Sequence, residues 1–311
     1  MRRSVFIDGA AGTTGLEIRE RLSDRAEIDL VTLDDERRKD AGARREALND
    51  ADFVILCLPD DAARESVALI ENDRTRVIDA STAHRTADGW TYGFPELEPS
   101  QTAAIADAAR VTNPGCYPTG FLALVRPLVR AGLIPADWAL SVNAVSGYSG
   151  GGRAMIDEFG GGRAPAWRGY AMALDHKHVP EMQRHARLEH PPIFTPAVAD
   201  TYRGMVVEVP LALHALPRRP SIEACADVLA AAYPDSAIVT IGSPEATIVA
   251  IEDDAGTDRL TLRIFGNAER GHARLVATLD NLGKGAAGAA VQNLNIMAGF
   301  DPVAGLVLQR G

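Results

Sequence analysis

Val5-Phe6-Ile7-Asp8-Gly9-Ala10-Ala11-Gly12-Thr13-Thr14-Gly15 is an apolar strand that runs into three glycines spaced GxxGxxG, and a helical stretch from about Thr14 to Leu22 follows at once. Glycines let a backbone approach phosphate, and the amino end of a helix attracts its charge. Gly9, Ala11, Gly12, Thr13, Thr14 and Gly15 are therefore candidate contacts for a dinucleotide pyrophosphate. A tight strand-to-helix turn without a ligand would also explain the spacing, which departs from the commoner GxGxxG. Outward from this unit the alternation continues. Short β-branched runs at Asp29–Leu33, Phe53–Leu58 and Val77–Asp79 read as buried parallel strands, with helical stretches at about Glu36–Asn49 and Asp61–Asn72 between them. After the second strand, Asp34 and Asp35 suit the ribose hydroxyl of NAD, whereas Arg37 and its basic neighbours suit the 2′-phosphate of NADP. The residues alone leave that choice open.

From about Leu140 the pattern changes. Longer strands are expected at Leu140–Val145, Gly204–Leu211, Thr247–Asp253 and Arg259–Gly266, with a helix over Ser221–Ala232 in which Cys225 packs. The fold class that follows is α/β: a Rossmann-type parallel-sheet domain plus an α+β domain with a large mixed sheet. At 311 residues, 46% hydrophobic and 24% charged, the chain has the length and composition for two globular cores. A formal charge of -10, with basic residues scattered among acids, argues against a nucleic-acid surface. No run of about 18 apolar residues occurs, and no apolar signal precedes the first strand, so a cytoplasmic protein without membrane attachment is expected. The three cysteines are too widely spaced for a disulfide framework or a zinc knuckle. The expected partner is a small molecule.

Asn113-Pro114-Gly115-Cys116-Tyr117-Pro118-Thr119 places one thiol in a turn ahead of an apolar helical pattern, Phe121–Leu133. Backbone N–H groups at a helix start favour the thiolate, so Cys116 is a candidate nucleophile; a small buried thiol is the plainer alternative. A base is offered by His176-Lys177-His178-Val179-Pro180-Glu181. With His185 these residues could instead ligate a metal, but Pro180 breaks regular geometry and a thiolate attacking an acyl group is better served by an imidazole; no metal is assigned. Ser146-Gly147-Tyr148-Ser149-Gly150-Gly151-Gly152-Arg153 follows a strand and could hold an anion or admit a nicotinamide ring. In Asp79-Ala80-Ser81-Thr82-Ala83-His84-Arg85, just past a strand's carboxyl end, Arg85 is an anion-ligand candidate.

Taken together these motifs resemble the N-acetyl-gamma-glutamyl-phosphate reductases, in their shorter subtype, relatives of the aspartate-semialdehyde dehydrogenases. The likeness is carried by residues 9–15, by Asp79, Ser81 and Arg85, by Tyr92-Gly93-Phe94-Pro95-Glu96-Leu97, and by the whole Asn113–Thr119 motif. Ser149–Arg153, His176–Glu181, Asn281–Gly288 and Val291-Gln292-Asn293 extend it to nearly the whole chain. The resemblance implies NADP(H)-dependent reduction of an acyl phosphate through a cysteine thioester in arginine biosynthesis. It implies Cys116, His176, His178 and Glu181 as the catalytic set, without saying which imidazole moves the proton. Arg37, Gly147 and Asn293 join the glycine loop as cofactor contacts, and Ser81, Arg85, Asn113, Ser149, Arg153 and Tyr170 are substrate contacts. Residues 1–114 and 286–311 would form the dinucleotide-binding domain, with the last helix, about Ala286–Gly299, packed back on it. Residues 115–285 would form the catalytic and oligomerisation domain of a homodimer or homotetramer. The alternatives are a reductase of aspartyl or carrier-linked aminoadipyl phosphate, and a dinucleotide sensor without activity.

Overall fold

The computed structural model of the chain describes residues 2–34, 36–162 and 164–309. Contacts divide it into two compact units, Met1–Gly115 with Ala286–Leu306, and Cys116–Gly285 with Val307–Gly311. Val307 belongs with the second unit because its N–H donates to Asp258 Oδ2 at 2.7 Å while its carbonyl accepts the Asp258 N–H at 2.6 Å.

The first unit runs β1 (Arg3–Asp8), α1 (Thr13–Ser23), β2 (Ile28–Val31), α2 (Ala41–Asp50), β3 (Phe53–Leu56), α3 (Asp60–Ala68), β4 (Arg76–Asp79), β5 (Thr91–Tyr92), α4 (Gln101–Asp107) and β6 (Arg110–Thr112). All six strands are parallel, in the order β2-β1-β3-β4-β6-β5. Such a sheet must be covered on both faces, which is why its strands are apolar at successive positions. Val5, Ile7, Phe53 and Ile55 point into one core, with Ile18 of α1; Phe6, Val54, Leu56 and Leu48 of α2 make the other. The expected helix over Glu36–Asn49 is two pieces, a 3₁₀ turn at Arg37–Lys39 and then α2. Asp40 divides them, because its Oδ1 accepts the Ala43 N–H at 2.7 Å as an N-cap.

The second unit holds α5 (Cys116–Arg130), β7 (Ser141–Gly147), α6 (Gly152–Gly160), β8 (Trp167–Gly169), α7 (Val179–Ala186), β9 (Ile193–Ala199), β10 (Met205–Ala212), α8 (Ile222–Ala232), β11 (Val239–Ile241), β12 (Leu260–Asn267) and β13 (His272–Leu279). Its mixed sheet has the order β11-β12-β13-β10-β7-β9-β8. The apolar positions of α5 from Phe121 to Leu128 are buried, and Gly120 lets the helix close on the sheet: a Cβ there would stand 2.9 Å from Val207 Cγ2. Pro127, inside α5, has no N–H for the carbonyl four residues back; the Tyr233 hydroxyl donates to that Ala123 carbonyl at 2.8 Å instead. Thr247–Asp253, expected as a strand, is turn and loop, and the strand in its place is β13. The chain then returns to the first unit as α9 (Gly288–Ala298), whose Val291 and Leu294 complete the core around Val5 and Ile55. Among the described residues no helix is long and apolar enough to cross a membrane.

Candidate active site

Cys116 is the first residue of α5, where backbone N–H groups have no partner inside the helix. Pro118, third in the helix, removes only a donor that the first turn would leave unused. The thiol is partly buried. Gly285 borders it closely enough that a Cβ on that residue would lie 2.9 Å from the Cβ of Cys116.

Near the thiol the second unit places two phenols, Tyr117 and Tyr170, and two imidazoles pack against those rings. The Tyr117 hydroxyl donates to the Ala197 carbonyl at 3.1 Å, and the Tyr170 hydroxyl donates to that of Tyr117 at 3.2 Å. Burial pushes Tyr117 well above the ordinary phenol range and Tyr170 up to about 12, and the nearby charge of Cys116 adds to both. Both hydroxyls therefore keep their protons at neutral pH. The His176 ring meets Tyr117, Tyr170, Phe194 and His178 edge-on, with centroids 6.0, 5.6, 5.2 and 4.7 Å away. His176 Nδ1 accepts the backbone N–H of His178 at 3.1 Å, so a neutral His176 carries its proton on Nε2. His178 is buried just ahead of α7, and Glu181, 1% exposed, lies in the first turn of that helix.

Of the other candidates in this unit, Ser149 is buried and its Oγ accepts from Asn281 Nδ2 at 2.8 Å. The stretch read as a glycine loop is helical here, a 3₁₀ turn at Tyr148–Gly151 leading into α6. Gly147 is a glycine for a packing reason: a Cβ would meet the Arg203 backbone at 2.8 Å. Arg153 is exposed on α6, and nothing described ties it to the cysteine cluster. Sequence reading gave no role to Tyr117 or Asn281. The signal available for Tyr117 was its place, an aromatic one residue after the candidate nucleophile.

In the first unit the glycine loop connects β1 to α1. Gly9 has φ +91, and a Cβ there would stand 2.3 Å from the Cys57 carbonyl oxygen; a Cβ on Gly15 would stand 2.5 Å from the Gly9 carbonyl oxygen. Those two glycines are demanded by the chain itself. Gly12 is different, for its nearest neighbour would be 3.5 Å away, and as N-cap of α1 it contributes no side-chain cap. Its missing side chain leaves room in front of unsatisfied helix N–H groups, and Ala11, Thr13 and Thr14 flank that space, so the loop fits a pyrophosphate. Asp8, next to the loop, is neutralised by Arg44 at 2.8 Å. Beyond β2, Asp34 Oδ1 accepts the Arg37 N–H at 2.8 Å, which occupies the acid that would compete for a ribose; Asp35 lies outside the described residues. Arg37 is exposed, 3.4 Å from Glu46.

At the end of β4, Asp79 accepts the Ser81 N–H and hydroxyl at 2.9 and 2.8 Å and lies 2.6 Å from His84 Nδ1. His84, a residue without a sequence-based role, stacks on Trp90 with centroids 4.1 Å apart. Arg85 is buried and donates to the carbonyls of Asn113 at 3.0 Å and Ala80 at 3.1 Å, so part of its fork holds the backbone. Asn113 Nδ2 donates to the Ala286 carbonyl at 2.9 Å, while Asn293 Nδ2 donates to the Gly93 carbonyl at 2.9 Å and to Asn113 Oδ1 at 3.1 Å. Asn293 Oδ1 is buried and accepts nothing from the described residues. That orphan acceptor suits a ligand N–H.

Comparison with known proteins agrees with this division. Residues 39–105 match the semialdehyde dehydrogenase NAD binding domain, and residues 116–281 match the semialdehyde dehydrogenase dimerisation domain. An N-acetyl-gamma-glutamyl-phosphate reductase of Chelativorans sp. (strain BNC1) is 51% identical over 310 residues, 96% of this chain and 98% of its own. One from Burkholderia ambifaria is 52% identical over 302 residues, 95% of this chain and 96% of its own. Among solved structures, aspartate semialdehyde dehydrogenase II of Vibrio cholerae superposes with a TM-score of 0.73 at 17% identity, covering 96% of this chain and 98% of that one. Half identity over almost the full length of both chains, with the family's two domains matched in order, makes this chain a member of the N-acetyl-gamma-glutamyl-phosphate reductases within the semialdehyde dehydrogenase family.

Proposed function

We propose that the protein reduces N-acetyl-L-glutamyl 5-phosphate to N-acetyl-L-glutamate 5-semialdehyde with release of phosphate, reversibly, as a cytoplasmic homo-oligomeric enzyme of arginine biosynthesis. The observation that carries this reading is Cys116 at the amino end of α5, in one unit with the Tyr117, Tyr170, His176 and His178 cluster. A carboxylate resists hydride, whereas a thioester accepts it. Cys116 sulfur attacks the acyl carbon, the carbon–oxygen bond to phosphate breaks, and the acyl group is held as a thioester. The glycine loop and Asn293, with Arg37 at the 2′-phosphate, would hold NADPH, which would supply the hydride when bound. Hydride addition leaves an oxyanion on the hemithioacetal carbon, to which His176 Nε2–H donates a hydrogen bond; the carbon–sulfur bond then opens, giving the aldehyde and returning Cys116 as its thiolate. The hydrogen bond from the His178 amide supports His176 for that task, because it fixes the proton on the outer nitrogen. Glu181 and His178 orient the imidazole. The protonated Tyr170 hydroxyl and Ser149 hold the substrate's acyl end, and Ser81, Arg85, Asn113 and Arg153 contribute to its anionic groups.

Phosphate-dependent reduction of NADP by N-acetylglutamate semialdehyde, compared with aspartate semialdehyde, tests the substrate. Activity is expected with the former, at least about tenfold better with NADP than with NAD. Equal rates with aspartate semialdehyde, or none with either, would overturn the assignment.

A further inference from the structure

We infer that Asp280 is a positioning residue for Cys116, acting through the turn that its carboxylate closes. The inference rests on the reading of Cys116 as the nucleophile. Asp280 follows β13 and is fully buried, yet its carboxylate is surrounded by donors. Oδ1 accepts the N–H groups of Leu282 at 2.7 Å and Gly283 at 2.9 Å. Oδ2 accepts the N–H of Gly256 and lies 3.0 Å from Nε of Arg203. Its own carbonyl accepts the N–H of Gly285 at 2.9 Å. One side chain thus fixes the path from residue 280 to residue 285 and braces it against two other segments of the same unit.

The far end of that path touches the nucleophile. A Cβ on Gly285 would fall 2.9 Å from the Cβ of Cys116 and 3.4 Å from its Cα, so the glycine's bare backbone is the wall against which the cysteine side chain rests. Gly283 is equally confined, with a Cβ 2.2 Å from the Thr257 carbonyl oxygen. The turn therefore cannot relax toward residue 257, and if its carboxylate clamp is lost it shifts at the Gly285 end. The adjacent Asn281 spans Ser149 Oγ and the Gly204 N–H at 2.8 and 2.9 Å, which ties the same segment to a second candidate substrate contact. A carboxylate is required because every atom facing it is a donor, and an amide would present its own N–H to one of them.

Asp280→Asn in the full-length protein tests this. Alkylation of Cys116 by iodoacetamide at pH 7 is expected to slow about tenfold, because a thiol no longer held by the wall turns away from the helix N–H groups. kcat should fall at least about tenfold while KM for the semialdehyde stays within about twofold. Loss of a nearby negative charge would by itself favour the thiolate and speed alkylation, so the two explanations differ in sign. Unchanged or faster alkylation in a variant with native circular dichroism overturns the inference. If Asp280→Asn does not fold, Gly285→Ala keeps the carboxylate and pushes on Cys116 directly; it should give the same slow alkylation and kcat loss, and normal alkylation there overturns the inference too. Alkylation needs no substrate, so a wild-type protein inactive on N-acetylglutamate semialdehyde would defeat the proposed reaction and leave this test standing.

Discussion

Cys57 and Cys116 are both partly buried thiols at the edge of a regular element, and their surroundings treat them oppositely. Cys57 comes just after β3, its N–H donating to the Asp8 carbonyl at 2.8 Å, and its thiol is pushed up to about 12 by burial and by the charges of Asp79 and Asp8. It is a wall residue, whose carbonyl oxygen sets the floor of the glycine loop. Cys116 opens a helix, near two phenols that remain protonated and against which two imidazoles pack. A thiol becomes chemistry when donors rather than carboxylates face it.

The sharpest way to break this contrast is to exchange the roles by mutation. Cys116→Ser should lower reductase activity at least about a thousandfold, whereas Cys57→Ser should leave kcat within about threefold; the reverse pattern would relocate the nucleophile. Next in size is reactivity. At pH 8 a thiol titrating near 12 is ionised to roughly one part in ten thousand, so mass spectrometry should find Cys116 alkylated at least about a hundredfold faster than Cys57. Cys225, pushed to about 11 by burial in α8, should also be slow. Gly9→Ala probes the structural side, since a Cβ would strike the Cys57 carbonyl in a backbone conformation foreign to alanine. About 2 kcal/mol of stability should be lost, read as a lower Tm, together with a raised KM for NADPH. The smallest effect concerns alkali. Cys57, Cys225, Tyr117 and Tyr170 all titrate higher in the folded protein than their ordinary values of 9.0 or 10.0. The unfolded chain loses these protons first, so stability is full below about pH 9 and declines as pH rises toward 12. Cys57→Ala should flatten the fall of stability between pH 9 and 10.5 by no more than one proton's share, about 1.4 kcal/mol per pH unit.

Local chemistry was legible in the sequence and pairing at a distance was not. Gly9 to Gly15 and the Cys116 turn write their geometry in adjacent residues, because glycine and proline restrict the chain where they stand. Thr247–Asp253 misled for the same reason: Thr247, Ile248, Val249 and Ile251 have strand character, but the segment is held by its acids, with Asp253 on Arg263 and Asp254 on Thr278, and forms no ladder. The true strand β13 hides behind exposed His272 and Arg274, and it is a strand because β10 and β12 flank it. Asn113 and Arg85 look like anion ligands in a motif. The hydrogen bonds of Asn113 with Ala286 and Asn293, and of Arg85 with the Asn113 carbonyl, depend on residues brought together by folding, and no spacing rule reports them.

The return of α9 to the first unit has a consequence for synthesis. The face of the parallel sheet that holds Val5, Ile7 and Ile55 is closed by Val291, Leu294 and Met297, which leave the ribosome only after all of residues 116–285. Until then only Ile18 and Leu22 of α1 and Ile105 of α4 shield that face and part of it stays open, so the first-made segment of the protein must be the last to mature. A chain stopped short of residue 288 would keep that face open permanently, and the cell would meet it as an aggregation-prone fragment.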